Sequence, residues 1–262
     1  MNVYCKNCGT ENEEKYSFCK NCGTPLRATD SNRKKDYSYD YYADKIPDEI
    51  DGIPSSDFAH FVRDNRYKIL DKFAKMSITG SKLSWCWPAA VLSFFFGFFG
   101  AAIWLFYRKM YRYAIIALCI GAVVLGVNTA ITYMPSVNAA EAFREVFIEM
   151  QTGGGFQQYL TDFEALLDTF SATREVMAVN FINELANYSA AFFYGLFGMY
   201  IYKKHAVKKI SAYRLVNSDS VYYSYGLSAL GGTSAGMAVL AIIIAVTLNN
   251  IISMLPFFAV IF

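Results

Sequence analysis

Histidine is nearly absent from this sequence: His60 and His205 are the only two in 262 residues. That excludes histidine-pair metal motifs and leaves few candidates for a histidine general base. An H-E-x-x-H helix, a phosphate-binding loop and a dinucleotide fingerprint are missing as well, so those enzyme chemistries lack their residues. Charge is missing in a patterned way. Residues 86–107, 113–134, 185–202 and 237–262 contain no Asp, Glu, Lys or Arg. A soluble helix needs a polar face toward water, so four charge-free stretches of this length exclude a wholly soluble fold. They contain no histidine either, and ion pathways through membranes usually carry an ionisable side chain. Finally, no apolar run precedes Cys5. The N-terminus is therefore expected in the cytosol, where thiols stay reduced.

What is present divides the chain into a polar, charge-rich part over residues 1–82 and an apolar remainder. The polar part opens on two copies of one motif, Cys5-Lys6-Asn7-Cys8-Gly9 and Cys19-Lys20-Asn21-Cys22-Gly23. Two C-x-x-C pairs bring four thiolates to the corners of a tetrahedron, the geometry that Zn²⁺ accepts. The glycine after each second cysteine permits the positive φ with which a knuckle turns its N–H groups toward sulfur. Residues 1–25 are thus expected to be a small β zinc ribbon with Cys5, Cys8, Cys19 and Cys22 as ligands of one structural Zn²⁺. Gly9–Phe18, between the knuckles, has room for one short hairpin. Four protein ligands leave the metal no open position for catalysis. Cys86 and Cys119 have no metal-spaced partner and are expected to be small buried side chains.

Residues 26–47 mix alternating charge with Tyr37, Tyr39, Tyr41 and Tyr42 and contain few aliphatics, the composition of a flexible linker. An Ile50-Asp51-Gly52-Ile53-Pro54 turn follows, with Ser55-Ser56 as a helix cap before Asp57. Over 48–82, Phe58, Phe61, Val62, Ile69, Leu70, Phe73 and Met76 recur at helical spacing opposite Arg63, Asp64, Lys68, Asp71, Lys72 and Lys75. This predicts a cytoplasmic amphipathic helix, broken near Asn65, that packs on the membrane part or lies at the headgroups.

Residues 83–262 are expected to form an all-α membrane domain. Within it, 135–187 is too amphipathic to span and is expected to be an external helical region. It has faces at Phe143, Val146, Phe147 and Met150, at Phe156, Leu160, Phe163, Leu167 and Phe170, and at Val176, Val179, Ile182 and Leu185. Charge sets the topology. Segment 135–187 carries Glu141, Glu145, Glu149, Asp162, Glu164, Asp168, Glu175 and Glu184 against Arg144 and Arg174; Lys203, Lys204, Lys208, Lys209 and Arg214 follow it. Basic loops prefer the cytoplasm. With a cytosolic N-terminus, four crossings would put both Arg108-Lys109 and Lys203–Arg214 outside. Three crossings, at 113–134, 185–202 and 237–262, with 86–107 re-entrant or interfacial and bent near Gly97 or Gly100, put both inside. Four crossings remain the alternative. The Lys203–Arg214 stretch is then expected to meet anionic headgroups. Phe94–Gly100 and Phe192–Gly198 echo each other, as transporter repeats do, although apolar Phe/Gly text also recurs by chance.

Trp85-Cys86-Trp87-Pro88-Ala89-Ala90, then Phe94-Phe95-Phe96-Gly97, then Trp104-Leu105-Phe106-Tyr107-Arg108-Lys109-Met110-Tyr111 resembles a family of bacterial zinc-ribbon membrane proteins whose membrane domain has no assigned function. The resemblance is dense over residues 50–112 and loose over 195–210, where Gly198, Tyr202, His205 and Lys209-Ile210 fit. Gly97-Phe98 departs from the family's usual Gly-Pro. The resemblance implies an architecture and a bacterial cytoplasmic-membrane location, and no activity.

The function expected from the residues is non-enzymatic: a membrane-anchored protein that docks a cytoplasmic partner through its ribbon, or acts as a scaffold or regulator. A transporter or channel component is the alternative, and an enzyme of unrecognised type a third. The expected partners are the lipid bilayer and a cytoplasmic protein. Nucleic acid is not expected, because Lys6, Lys15 and Lys20 balance Glu11, Glu13 and Glu14 in the ribbon. Purified protein should carry about one zinc per chain. Cys→Ser at Cys5, Cys8, Cys19 or Cys22 should release it while the membrane part stays inserted. Metal analysis that finds iron, or no metal, would refute the zinc assignment.

Overall fold

The computed structural model describes residues 2–4, 10–13, 21, 46–152, 156–218 and 222–261. Cys5, Cys8, Cys19 and Cys22, the linker up to residue 45 with its tyrosines, and Gly153-Gly154-Gly155 lie outside the described residues. The chain is mostly helical. Its elements are β1 (Asn2–Tyr4), β2 (Glu11–Glu13), β3 (Glu49–Ile50), β4 (Ile53–Pro54), α1 (Ser55–Val62), α2 (Arg66–Thr79), α3 (Trp87–Tyr107), α4 (Tyr111–Ile131), α5 (Tyr133–Thr152), α6 (Phe156–Ser171), α7 (Arg174–Asn217), α8 (Tyr223–Leu230) and α9 (Ala235–Ile261). They fall into two compact units. One comprises Met1–Cys86, Tyr107–Met110 and Leu196–Ser234, the other Trp87–Phe106, Tyr111–Gly195 and Ala235–Phe262.

In the first unit, Asp51 and Gly52 both take positive φ (52° and 74°) and close the β3–β4 hairpin, as a two-residue turn requires. Ser55 does not cap α1 through its side chain. Its hydroxyl donates to the Pro47 carbonyl and its N–H to Asp48, so it ties the helix start back to the chain entering the hairpin. The expected amphipathic helix is two helices, because Arg63 and Asn65 adopt positive φ (60° and 56°) between α1 and α2. All seven apolar residues of its predicted face are buried. What covers them is distant in sequence: the Phe73 ring meets Tyr202 of α7 at 5.7 Å, and Phe61 lies 6.4 Å from His205. This face therefore packs on the end of α7, with Ala206 and Ile210 also fully buried. Burying such side chains is worth about 1.5–3 kcal/mol each, which explains why 48–82 does not stand as a segment by itself. The glycine pair Gly231-Gly232 closes the unit. Gly232 N–H donates to the Phe61 carbonyl at 2.6 Å and Ser234 N–H to Tyr107 at 2.8 Å. A Cβ on Gly231 would collide with that same Phe61 oxygen.

The second unit holds most of the apolar text. Three helical stretches are long and apolar enough to cross a membrane: Trp87–Tyr107, Tyr111–Ile131 and Tyr223–Pro256. The stretch 185–202 sits inside the 44-residue α7 and is less apolar, being interrupted by Asn187 and four tyrosines. α5 and α6 pair with each other, Phe143 meeting Phe163 at 5.7 Å. The third expected face, from Val176 to Leu185, is the beginning of α7 and not a separate helix. Cys86 is buried as expected, but Cys119 is exposed on α4, since the outward face of an apolar helix has no need of water.

α3 is not one straight helix. Gly97 has φ 55° and ψ −134°, outside any helical region, and separates two helical halves. A Cβ on Gly100 would clash with the carbonyl of Leu92, eight residues earlier. In a straight helix eight residues rise about 12 Å, so the second half doubles back along the first. The bend expected near Gly97 or Gly100 uses both: Gly97 supplies the dihedral and Gly100 the clearance. No proline is needed. In the echo segment, by contrast, Gly195 and Gly198 lie within the continuous α7, so the two stretches do not share a conformation. Gly100→Ala should lower stability by about 1–3 kcal/mol through overpacking. Gly126→Ala on α4, with nothing within 4 Å of the added methyl, should be neutral or stabilising by up to about 1 kcal/mol. Thermal unfolding of the two variants in detergent checks the contrast; equal effects would contradict the hairpin.

Candidate functional site

The segments around the expected metal ligands begin with β1 and β2, which pair antiparallel, Asn2 opposite Glu13 and Tyr4 opposite Glu11. In the sequence the first C-x-x-C motif lies between these two strands. β2 lies in the Gly9–Phe18 interval in which the sequence allows one short hairpin, and it pairs with the strand that precedes Cys5; residues 14–18 of that interval lie outside the described residues. Asn21, between Cys19 and Cys22, donates from Nδ2 to Thr10 Oγ1 at 2.9 Å. Asn21 thus lies beside Thr10, the residue that precedes β2. Asn12 is buried and donates to the Thr10 carbonyl at 2.6 Å. The cysteines themselves lie outside the described residues, and among those described no group of three or more His, Cys, Asp or Glu could hold a metal.

The first unit concentrates the basic side chains, and Lys203 corrects one expectation about them. It does not reach headgroups: it is buried, with Nζ 2.9 Å from Asp51 Oδ2 and donating to Ser77 Oγ at 2.7 Å. Ser77 in turn donates to Asp51 Oδ1. Burial raises the Asp51 pKa, but the Ser77 hydrogen bond and the Lys203 ammonium together outweigh it and hold the carboxyl below its ordinary value. The triad ties the β3–β4 turn, the end of α2 and α7 together. The physical reason is position: α7 carries the buried face of Tyr202 and Ala206, and Lys203 sits between them. Lys204, Lys208, Lys209 and Arg214 remain exposed. Lys109, at φ 57°, donates to the Ala229 carbonyl in the last turn of α8 at 2.9 Å, a favourable place for a cation. Arg108 lies 5.2 Å over the Tyr202 ring. Buried Asp57 accepts from the Tyr223 hydroxyl at 2.8 Å, and Asp64 from Thr233 at 2.7 Å. His60 and His205 are half-buried, and burial lowers the pKa of each.

The second unit contains a cavity of about 410 Å³ where α3 turns back. Its walls are Phe96–Phe99 of α3 with parts of α4, α7 and α9, and no lining residue is ionisable. Three of them are amides: Asn183, Asn187 and Asn249. The Asn187 amide oxygen fills the space that a Cβ on Gly97 would need. Asn183 accepts a hydrogen bond from Asn128, a residue only 5% exposed whose own Oδ1 has no hydrogen-bond partner. The Phe99 ring stands about 3.2 Å from where a Gly121 Cβ would be, so Gly121 leaves it room. Sequence reasoning missed Asn183 and Asn187. Both lie in text shared between an acidic amphipathic segment and an apolar one, and the available signal was their spacing of one helical turn.

A family model described as "Protein of unknown function (DUF2628)" matches residues 48–161, from the β3–β4 hairpin into α6. Another, described as "Domain of unknown function (DUF7577)", matches residues 2–27, the segment with the four cysteines. No curated protein and no solved structure matches the chain.

Proposed function

We propose that this chain is a non-enzymatic docking or scaffolding protein anchored in the bacterial cytoplasmic membrane, with a structural zinc ribbon displayed in the cytoplasm. One observation carries the reading: a single compact unit gathers residues up to Cys86, Tyr107–Met110 and Leu196–Ser234, and with them both basic stretches. The acidic residues Glu141 to Glu184 belong to the other unit. A unit held by contacts among these three segments resides on one aqueous side of a bilayer. The stretch 87–106 then leaves that side and returns to it, which suits its doubling back at Gly97. α4, residues 185–202 of α7 and α9 supply three crossings, the first unit's Leu196–Tyr202 forming the aqueous-side end of the second, and α5–α6 lies outside. Exposed Lys204, Lys208, Lys209 and Arg214 then face anionic headgroups, each worth about 1 kcal/mol near the surface. In this topology the positive-inside preference is met at both basic stretches. The polar, charge-balanced ribbon, tethered by 26–47, is the part free to engage a soluble protein.

Two measurements on the full chain test this reading together. Single cysteines at Ser81, Lys109, Glu164 and Lys208, in a background lacking Cys86 and Cys119, are treated with an impermeant thiol reagent in intact cells; only the Glu164 site should react. In parallel, crosslinking followed by purification from membranes should capture a soluble cytoplasmic protein with the native chain and lose it with Cys5→Ser/Cys22→Ser. Labelling at Lys109 without Glu164 would overturn the topology. Identical captures from both chains would overturn ribbon docking.

A further inference from the structure

We propose that the cavity at the Gly97 turn is a binding site for an uncharged molecule bearing a hydroxyl or carbonyl head on an apolar body. The cavity, at about 410 Å³, falls in the range of small-molecule sites, about 300–1,000 Å³. Its chemistry narrows the occupant. Asn187 and Asn249 have no hydrogen-bond partner among the described residues, and Asn183 uses only its carbonyl oxygen, toward Asn128. Asn183 and Asn187 are half-buried and Asn249 is exposed on its helix. On the membrane reading proposed above, what surrounds these helices is hydrocarbon and not water, so an amide there without a partner is costly and calls for something to bond. The amides offer donors and acceptors together, which matches a hydroxyl or carbonyl.

Charge excludes the alternatives. With no Asp, Glu, Lys, Arg or His in the lining, neither a carboxylate nor an ammonium would find a counter-charge, and an unpaired ion in such surroundings is strongly disfavoured. The interrupted helix adds two further sets of polar groups. Halting α3 at Gly97 leaves the last carbonyls of its first half and the first N–H groups of its second half without intrahelical partners. The rest of the wall is Phe96, Phe98, Phe99, Val124, Leu125 and Val246, which suits a hydrocarbon body. Phe96 and Val246 are 58% and 53% exposed, so the cavity is open at its rim to whatever surrounds the helices. Such a molecule can come from the bilayer, as a long-chain alcohol or diacylglycerol, or from water, as a short-chain alcohol. The site does not depend on the ribbon or on a protein partner.

The test uses the full chain in nanodiscs of phosphatidylethanolamine and phosphatidylglycerol. The probe is a long-chain alcohol carrying a diazirine, with the matching carboxylic acid as the charged control. Photolabel from the alcohol should map to the α3 turn and to the 183–187 and 245–249 segments. Val123, 65% exposed on α4, reports non-specific contact. Losing one hydrogen bond of about 1.4 kcal/mol corresponds to a tenfold change. Asn187→Leu and Asn249→Leu should each cut labelling at the turn about tenfold while Val123 labelling stays constant. Asn249 is exposed, so its variant keeps the test valid should Asn187→Leu unfold. Excess diacylglycerol that displaces the probe identifies a bilayer source, and excess 1-butanol that does so an aqueous one; either supports the site. Labelling at the turn no greater than at Val123, equal labelling by alcohol and acid, displacement by neither competitor, or indifference to Asn249→Leu would overturn it.

Discussion

The close approach of Gly100 to the Leu92 carbonyl is the constraint from which the rest of the architecture follows. Two helical halves can lie that near only where a side chain is missing, and the chain can reverse between them only where a residue accepts Gly97's dihedrals. With the reversal in place, Cys86 and Tyr107 both belong to the first unit. Arg108 can then stand over Tyr202, and Lys109 can reach the end of α8. The same turn makes the amide-lined cavity, because a reversed helix leaves space that a straight one fills.

Packing in the first unit answers a problem posed by its sequence. Ile69, Leu70, Phe73 and Met76 make a face that two short helices cannot cover alone, and the remedy comes from Tyr202, Ala206 and Ile210 on α7. Polar ties hold this arrangement in register. Asp51, Ser77 and Lys203 join three elements. Asp57 and Asp64 join α1 and its exit turn to Tyr223 and Thr233. Buried charges that keep partners of this kind specify one packing at little net gain in stability.

Much of this was legible in the sequence. Periodicity revealed the face from Phe58 to Met76 and the break near Asn65, and charge-free length revealed three apolar stretches, while 185–202 is not among those apolar enough to cross. Glycine placement marked Gly97 and Gly100. What escaped was non-local. Nothing near Lys203 says that its ammonium pairs with Asp51, 152 positions earlier, because a lysine in a basic run looks like any other until the fold assigns it a partner. Asn183 and Asn187 acquire their setting only when α3 turns back against α7.

The central claim is that residues 87–107 form a hairpin and not a span, and a distance measures it most directly. Spin labels at Trp87 and Ile103, in the full chain freed of Cys86 and Cys119 and reconstituted in nanodiscs, would be about 24 Å apart along a straight helix. Helices packed side by side have axes about 8–10 Å apart, so the hairpin predicts a separation well below that value. A distribution centred near the straight-helix distance would contradict the account.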